Sequence, residues 1–160
     1  MSTQTLLLSV FKYKAWANEG LFTELAKVDA VARQSERHSV IRLLNHIYIV
    51  DRIFAAHLSG EMPGYTGINT PETPTIEELR SAVVKSDRWY VEYIGKLAAE
   101  RFSESLQFTF TDGVSGCMSR EEMLAHVATH GDYHRGAIGL LLPQASVHPF
   151  TVYLHKAESR

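Results

Sequence analysis

Apolar residues recur at helical spacing along four stretches of the chain, and polar stretches separate them. The first runs from about Thr3 to Val28, with apolar side chains three or four residues apart, which predicts an amphipathic helix. A polar connection, DAVARQSERHS, follows it. Ser39, at the end of that connection, is the predicted N-cap of a second helix, whose apolar stripe runs from Val40 to Phe54 and which ends near Gly60.

The third and fourth helices each begin with a capping box, in which Ser or Thr is followed three residues later by Glu. Thr75 with Glu78 opens the third helix, and Ser119 with Glu122 opens the fourth. Pro143 is predicted to close the fourth helix, since proline cannot continue the backbone hydrogen-bond ladder.

The connections between these helices differ in length and pattern. EMPGYTGINTPETPT, between the second and third helices, has three prolines and two glycines and is long enough for a crossover. SLQFTFTDGVSGCMS alternates apolar and polar residues around Asp112-Gly113, which is typical of a small β-hairpin. The tail ASVHPFTVYLHKAESR has no strong period. We predict one all-α domain over residues 1–160, a four-helix bundle with one long crossover and a small β-hairpin between helices 3 and 4.

Composition narrows the function classes. A net charge of -2 and a pI of 6.4 give no electrostatic reason to expect a nucleic acid or a membrane surface as partner. No stretch approaches the roughly 18 apolar residues that span a bilayer, and the first residues lack the basic segment and cleavage site of a signal peptide. The single cysteine, Cys117, matches no motif and cannot form an internal disulfide. We expect a cytoplasmic protein.

Four of the eight histidines interrupt apolar helix faces. His126, His130 and His134 recur every four residues along the fourth helix, and His46 lies on the apolar face of the second. A buried imidazole without a partner costs on the order of 1–3 kcal/mol per unmet hydrogen bond. A divalent metal removes that cost, because neutral imidazole is a preferred nitrogen ligand. The two helices together indicate a metal site inside the bundle.

The spacing leaves two ligand pairs open on the fourth helix. Histidines four residues apart are separated by about 6 Å along the axis, whereas His126 and His134 are about 12 Å apart. The pair is therefore 126/130 or 130/134, with His46 as the third ligand. Three histidines and a water are typical of an open, catalytic-type site. Glu-x-x-His is absent from the chain, which argues against a carboxylate-bridged di-iron bundle. Histidines held only by hydrogen bonds in a structural dimer are the metal-free alternative.

Three motifs resemble those of the DinB (DinB/YfiT-like) family of metalloenzymes. YKAWAN is similar to the aromatic first-helix signature of that family, and LNHIYIVDRIF to its second-helix motif, an inward histidine with an aspartate five residues on. AHVATHGDYHRGA resembles the last-helix motif, usually H-x-x-N-H-x-x-x-H-R-G-Q. The likeness extends along nearly the whole chain and implies a four-helix bundle with a three-histidine metal site.

The resemblance implies that the metal ligands are His46, His130 and His134, and that His126 lies outside the trio. Thr129 stands where the family usually has Asn, and Ala137 stands where Gln usually follows His-Arg-Gly. Both departures are next to the expected site, so the orientation of the ligands by their neighbours is expected to differ here.

Characterised relatives in the family include transferases that use bacillithiol or mycothiol. The resemblance therefore implies a small-molecule substrate, a low-molecular-weight thiol as cosubstrate, and a metal that lowers the pKa of a bound thiol or water. Zinc, nickel and iron all accept three imidazoles. A metal-dependent thiol transferase or hydrolase is the main hypothesis, and a non-catalytic metal-binding or stress-response module is the alternative. A homodimer is expected because the family favours it.

Other residues near the motifs are weaker candidates. Asp51 is a candidate for orienting a ligand, although a solvated surface aspartate is the favoured interpretation. Tyr13, Trp16 and Tyr133 are candidates for lining a pocket, although aromatic residues in a bundle usually belong to the core. Arg135 is predicted to bind either an anionic substrate group or a carboxylate, and the sequence does not separate the two.

Overall fold

The computed structural model describes residues 2–145 and 148–158, and within these ranges the chain is mainly helical. The elements are α1 (Thr3–Leu25), α2 (Gln34–Ser59), α3 (Ile76–Lys96), β1 (Ser105–Thr109), β2 (Ser115–Ser119), α4 (Arg120–Leu141) and α5 (Phe150–Glu158). The all-α bundle with a hairpin between its third and fourth helices is therefore confirmed. None of the described helices is long and apolar enough to cross a membrane.

In the bundle, α1 packs mainly against α3, and α2 packs mainly against α4. The long loop over residues 61–75 carries the chain from α2 to α3, as the sequence predicts for the crossover. Gly60 ends α2 with a φ of 74°, in the left-handed region that glycine adopts without a Cβ clash.

The start of α2 is six residues earlier than predicted, because its N-cap is Arg33 and not Ser39. Helix α2 begins at Gln34, and the Ser39 hydroxyl donates to the carbonyl of Ser35 inside the helix at 3.0 Å. The second half of the predicted polar connection, Gln34–Ser39, forms the first turns of α2, because Gln, Glu and Arg are good helix formers that need no apolar stripe. Helix α1 ends at Leu25, three residues before the predicted Val28.

Both capping boxes are confirmed. In each, the Ser or Thr side chain accepts from the backbone of the Glu three residues on, and that Glu carboxylate accepts from the cap backbone. Helix α4 ends at Leu141, and Pro143 begins a short 3-10 turn. These local signals succeed because the cap and its partner lie within one helical turn.

The hairpin is antiparallel, with Phe108 of β1 opposite Gly116 of β2. Gly113 has a φ of 87° in the connecting turn, as the Asp-Gly signal predicts. Because β2 runs directly into α4, the hairpin is fixed to the same helix that carries three of the histidines.

Helix α5 lies in the tail, where the sequence shows no strong period. It packs on α1 through the ring of Tyr13, which is 5.3 Å from the ring of Phe150 and 6.0 Å from that of Tyr153. Only nine residues form this helix, too few for helical periodicity to stand out in the sequence.

A polar layer divides the apolar interior into two clusters. On α1, Phe11 belongs to one cluster and Leu21 to the other, and Lys14 and Asn18 lie between them. The other three long helices repeat this order, with Asp51, Asp87 and Arg135 at the corresponding level. The first cluster includes Val50, Phe54, Tyr90, Ile94, Met123 and Val127, and the second includes Leu25, Leu44, Ile47, Val83 and Ile138.

Lys14 is the centre of this layer and is almost fully buried. Its ammonium group donates to the carboxylates of Asp51 at 2.6 Å and Asp87 at 2.7 Å. Asn18 donates to Asp87 at 2.8 Å and accepts from Arg135 at 2.8 Å, which brings in α4. Burial lowers the pKa of Lys14, but the two carboxylates together raise it by more. The pKa therefore lies above its ordinary value, and the ammonium stays charged.

We expect Lys14→Met to lower the free energy of unfolding by about 3–5 kcal/mol, because it leaves two buried carboxylates without their cation. Urea denaturation followed by circular dichroism measures the change. The matched control is Lys12→Met on the exposed side of α1, expected to change stability by less than about 0.5 kcal/mol. Equal stability of the two variants would contradict a structural role for the Lys14 ion pairs.

Candidate metal centre

Three imidazoles meet between α2 and α4. His46 comes from α2, and His130 and His134 come from successive turns of α4. One nitrogen from each ring lies within 4.8 Å of the other two, and all three side chains are partly buried. The Nε2 atoms of His46 and His130 are 3.0 Å apart, and the ring of His134 is 4.7 Å from that of His46. This geometry could hold a metal ion.

The crossover loop fixes the orientation of His46. Its Nδ1 lies 2.8 Å from the carbonyl of Ile68. A carbonyl only accepts hydrogen bonds, so Nδ1 carries the proton and Nε2 keeps a lone pair toward the other imidazoles. The neighbouring Asn45 is buried and donates to the side chains of Asn69 at 2.5 Å and Thr70 at 2.6 Å. These bonds hold the loop, and with it the carbonyl, against α2.

His130 is partly buried and is held in its neutral form. Burial, together with the charges of His134, His46, His126 and Lys14, lowers its pKa to about 3. Burial and the nearby His46 also lower the pKa of His134. Neutral imidazole is the form that binds metals, so His130 and His134 need no deprotonation at neutral pH.

His126 lies beside the cluster but is not part of it. Its ring is 5.5 Å from that of His130 and 4.7 Å from that of Phe54. Of the two pairs that the spacing leaves open, the structure therefore brings 130/134 together with His46. The pKa of His126 is lowered by burial alone.

The favoured interpretation of Asp51 as a surface residue is wrong, because Asp51 is only 2% exposed. Its carboxylate accepts from Lys14, and burial raises its pKa to about 6 against the opposing effect of that cation. Arg135, which the sequence left between two roles, pairs with a carboxylate. It donates to Asp132 at 2.6 Å and is itself buried.

The three aromatic candidates have different environments. Tyr13 belongs to the core and donates to the carbonyl of His148 at 3.3 Å. Trp16 is partly buried on the side of α1 that faces Tyr153. Tyr133 is 76% exposed, although its ring is 5.1 Å from that of His134. Cys117 is exposed on the hairpin, away from every motif.

A cavity of about 210 Å³ adjoins the cluster. Two of the three clustered imidazoles line it, together with apolar side chains from α2, the crossover loop and the hairpin. The full lining is His46, Val50, Ile53, Phe54, His57, Ile68, Phe108, Phe110, Thr111, His126 and His130.

A larger groove, of about 790 Å³, lies between α2 and α3 and contains none of the clustered histidines. Its walls include Arg52, Lys85, Glu77 and Glu78, and such a mixture of charges is typical of a solvated helix surface. We therefore assign the candidate site to the smaller cavity, where the imidazoles converge.

Several residues that build this site were not identified from the sequence. Ile68 contributes a backbone carbonyl, for which no side-chain signal exists. Asn45, Lys14 and Asp87 did carry a signal, because each is a polar residue within an apolar stripe, as the histidines are.

The fold and the cluster define a helical-bundle protein with three histidines that could hold a metal ion. The model of the DinB family matches residues 1–160, and the chain belongs to that family. It is similar to Protein DinB of Bacillus subtilis (strain 168), with 27% identity over 148 residues that cover 85% of this chain and 84% of that protein. No solved structure matches the chain.

We expect acidification to destabilise the metal-free protein through His130. The folded-state pKa of about 3 lies below the ordinary value of 6.5, so between these limits the unfolded chain takes up a proton that the folded chain does not. Stability is therefore lost as the pH falls from about 7 toward 4. Urea denaturation of wild type and His130→Gln across this range measures it. As the pH falls, the wild type should lose more stability than His130→Gln, because glutamine takes up no proton. Equal losses of stability in the two proteins would contradict the assignment of this effect to His130.

Proposed function

We propose that this protein is a metal-dependent enzyme of the thiol-transferase or hydrolase type, which binds one divalent metal through His46, His130 and His134. The observation that carries the proposal is the meeting of three imidazoles, from two helices, beside an apolar cavity that two of them line.

The spacing of the nitrogen atoms supports this ligand set. Tetrahedral zinc with bonds of about 2.0–2.1 Å places its ligand nitrogens roughly 3.3 Å apart. The separation of 3.0 Å between His46 and His130, and the limit of 4.8 Å for all three, need only small side-chain rotations to reach that arrangement. The buried Nδ1 of His130 has no hydrogen-bond partner among the described residues, and the contact of its Nε2 with His46 is one that a bound metal would replace.

The protonation of the cluster also supports metal binding. The bond to Ile68 leaves the Nε2 lone pair of His46 directed at the cluster, and this is the second contact by which ligating histidines are usually oriented. Burial keeps His130 and His134 neutral.

The position of the cavity favours an enzyme over a purely structural metal site. Three protein ligands leave a coordination position for another molecule, whereas structural sites close with four. A divalent metal held there supplies Lewis acidity that lowers the pKa of a thiol or water. The chain's own contribution is to hold the imidazoles, exclude water with apolar walls and receive the substrate. The metal, the thiol cosubstrate and the homodimer remain predictions.

We expect about one divalent metal per chain in wild-type protein purified without an affinity tag or a chelator. His130→Ala should lose it, because two imidazoles give a much weaker site. Elemental analysis measures the ratio, and circular dichroism verifies that each variant is folded. His126→Ala is the matched control on the same face of α4 and should keep its metal.

Two results would contradict the proposal. Absence of metal from the wild type after reconstitution with zinc, nickel and iron would leave the histidines as packing residues. Loss of metal from His126→Ala with retention in His134→Ala would assign the other histidine pair. A large fall in melting temperature on chelation, with no activity toward thiol or ester substrates, would instead support the non-catalytic module.

A further inference from the structure

The cavity beside the cluster has no charged wall. Among the described residues that line it there is no Lys, Arg, Asp or Glu, although 34 of the 160 residues in the chain are of these types (16 basic and 18 acidic). The charged groups of the polar layer do not line the cavity, and Lys14 bonds to Asp51 and Asp87 instead. A charged ligand group would therefore be desolvated there without a partner.

Aromatic rings from α2 and the hairpin form part of the cavity wall. Phe54 of α2 lies 6.1 Å from Phe108 of the hairpin, and Phe108 lies 4.7 Å from Phe110 in an edge-to-face arrangement. Ile68, Phe110 and Thr111 are exposed and mark the mouth of the cavity. Its inner end is closed by buried side chains, including Val50 and Ile53.

The volume sets the size of the group that fits. A dry apolar cavity of about 150 Å³ accommodates a benzene ring. The cavity here measures about 210 Å³, enough for one ring with a short substituent. The ring would lie between the phenylalanines and the imidazoles, and its substituent would lie at the cluster.

We propose that the cluster acts on an uncharged molecule whose apolar, ring-sized portion lies in this cavity, and that the β1–β2 hairpin sets the size of that portion. The inference rests on the proposed function for the chemistry of the substituent that lies at the histidine cluster. The preference for a neutral, ring-bearing ligand rests only on the residues that line the cavity.

Gly116 is the residue through which the hairpin sets the cavity size. A Cβ at this position would lie 2.6 Å from the ring of Phe108 and 2.8 Å from that of Phe110. Any other residue must therefore displace the two rings that form the outer wall. Because Gly116 is on β2 and touches no histidine of the cluster, it alters the cavity without altering the ligand set.

The test uses two probes of equal size that differ in charge, benzyl alcohol and benzylammonium. Each is titrated into the metal-loaded and the metal-free full-length protein, and NMR follows the methyl groups of Val50 and Ile53. We expect benzyl alcohol to bind at least tenfold more tightly than benzylammonium in both forms. The metal-free measurement is needed because a bound metal would itself repel the ammonium.

Two variants locate the binding. Gly116→Val should weaken benzyl alcohol at least fivefold with no loss of metal, while Cys117→Ser, the neighbouring exposed position, should leave binding unchanged. Phe110→Ala is the second variant, since its ring is exposed and its removal spares the core; it should weaken the same probe.

The outcomes separate this inference from the proposed function. Metal present, with no benzyl alcohol binding or with equal binding of the two probes, would overturn the inference and leave the metal site standing. Binding that is unchanged in both Gly116→Val and Phe110→Ala would also overturn it. Selective binding of benzyl alcohol to a protein that takes up no metal would support the cavity selection and refute the proposed function.

Discussion

The buried ammonium group of Lys14 is the constraint on which the rest of the structure depends. It joins α1 to α2 through Asp51 and to α3 through Asp87, and Asn18 extends the connection to Arg135 on α4. Removing these charges from water is costly, so each must find its partner, and only one rotation of each helix allows this. The rotation of α4 that buries Arg135 also turns its histidines toward α2.

The polar layer influences the neighbouring histidine cluster through the charge of Lys14. The charge of Lys14 disfavours protonation of His130, in addition to burial and the neighbouring histidines. A charged imidazole would repel both the ammonium and a metal. Lys14 thus helps to keep His130 in its metal-binding form, and His130 and His46 also line the apolar cavity.

The sequence was sufficient to predict the features that depend on residues close to one another in the chain. The capping boxes and the Asp-Gly turn were predicted correctly because each pattern lies within a few residues. The prediction of Ser39 as the N-cap of α2 was wrong because the polar first turns of this helix resemble a loop in sequence. Asp51 was misread although it shares a stripe with Ile47 and Phe54, which marks it as inward-facing. The carbonyl of Ile68 could not be predicted, because its position depends on the path of a long loop.

The charges of the polar layer give a reason why an ionic network, rather than an apolar one, occupies this level. The buried acids Asp51 and Asp87 balance the buried bases Lys14 and Arg135, and the additional carboxylate of Asp132 is 49% exposed, where water screens it. Of these groups, Lys14 acts on His130 through its charge, and it disfavours a proton there. The same charge disfavours a metal ion, so metal binding would depend on the imidazole nitrogens and not on compensation by the network. An apolar layer would hold the helices together equally well but would not help to keep His130 neutral.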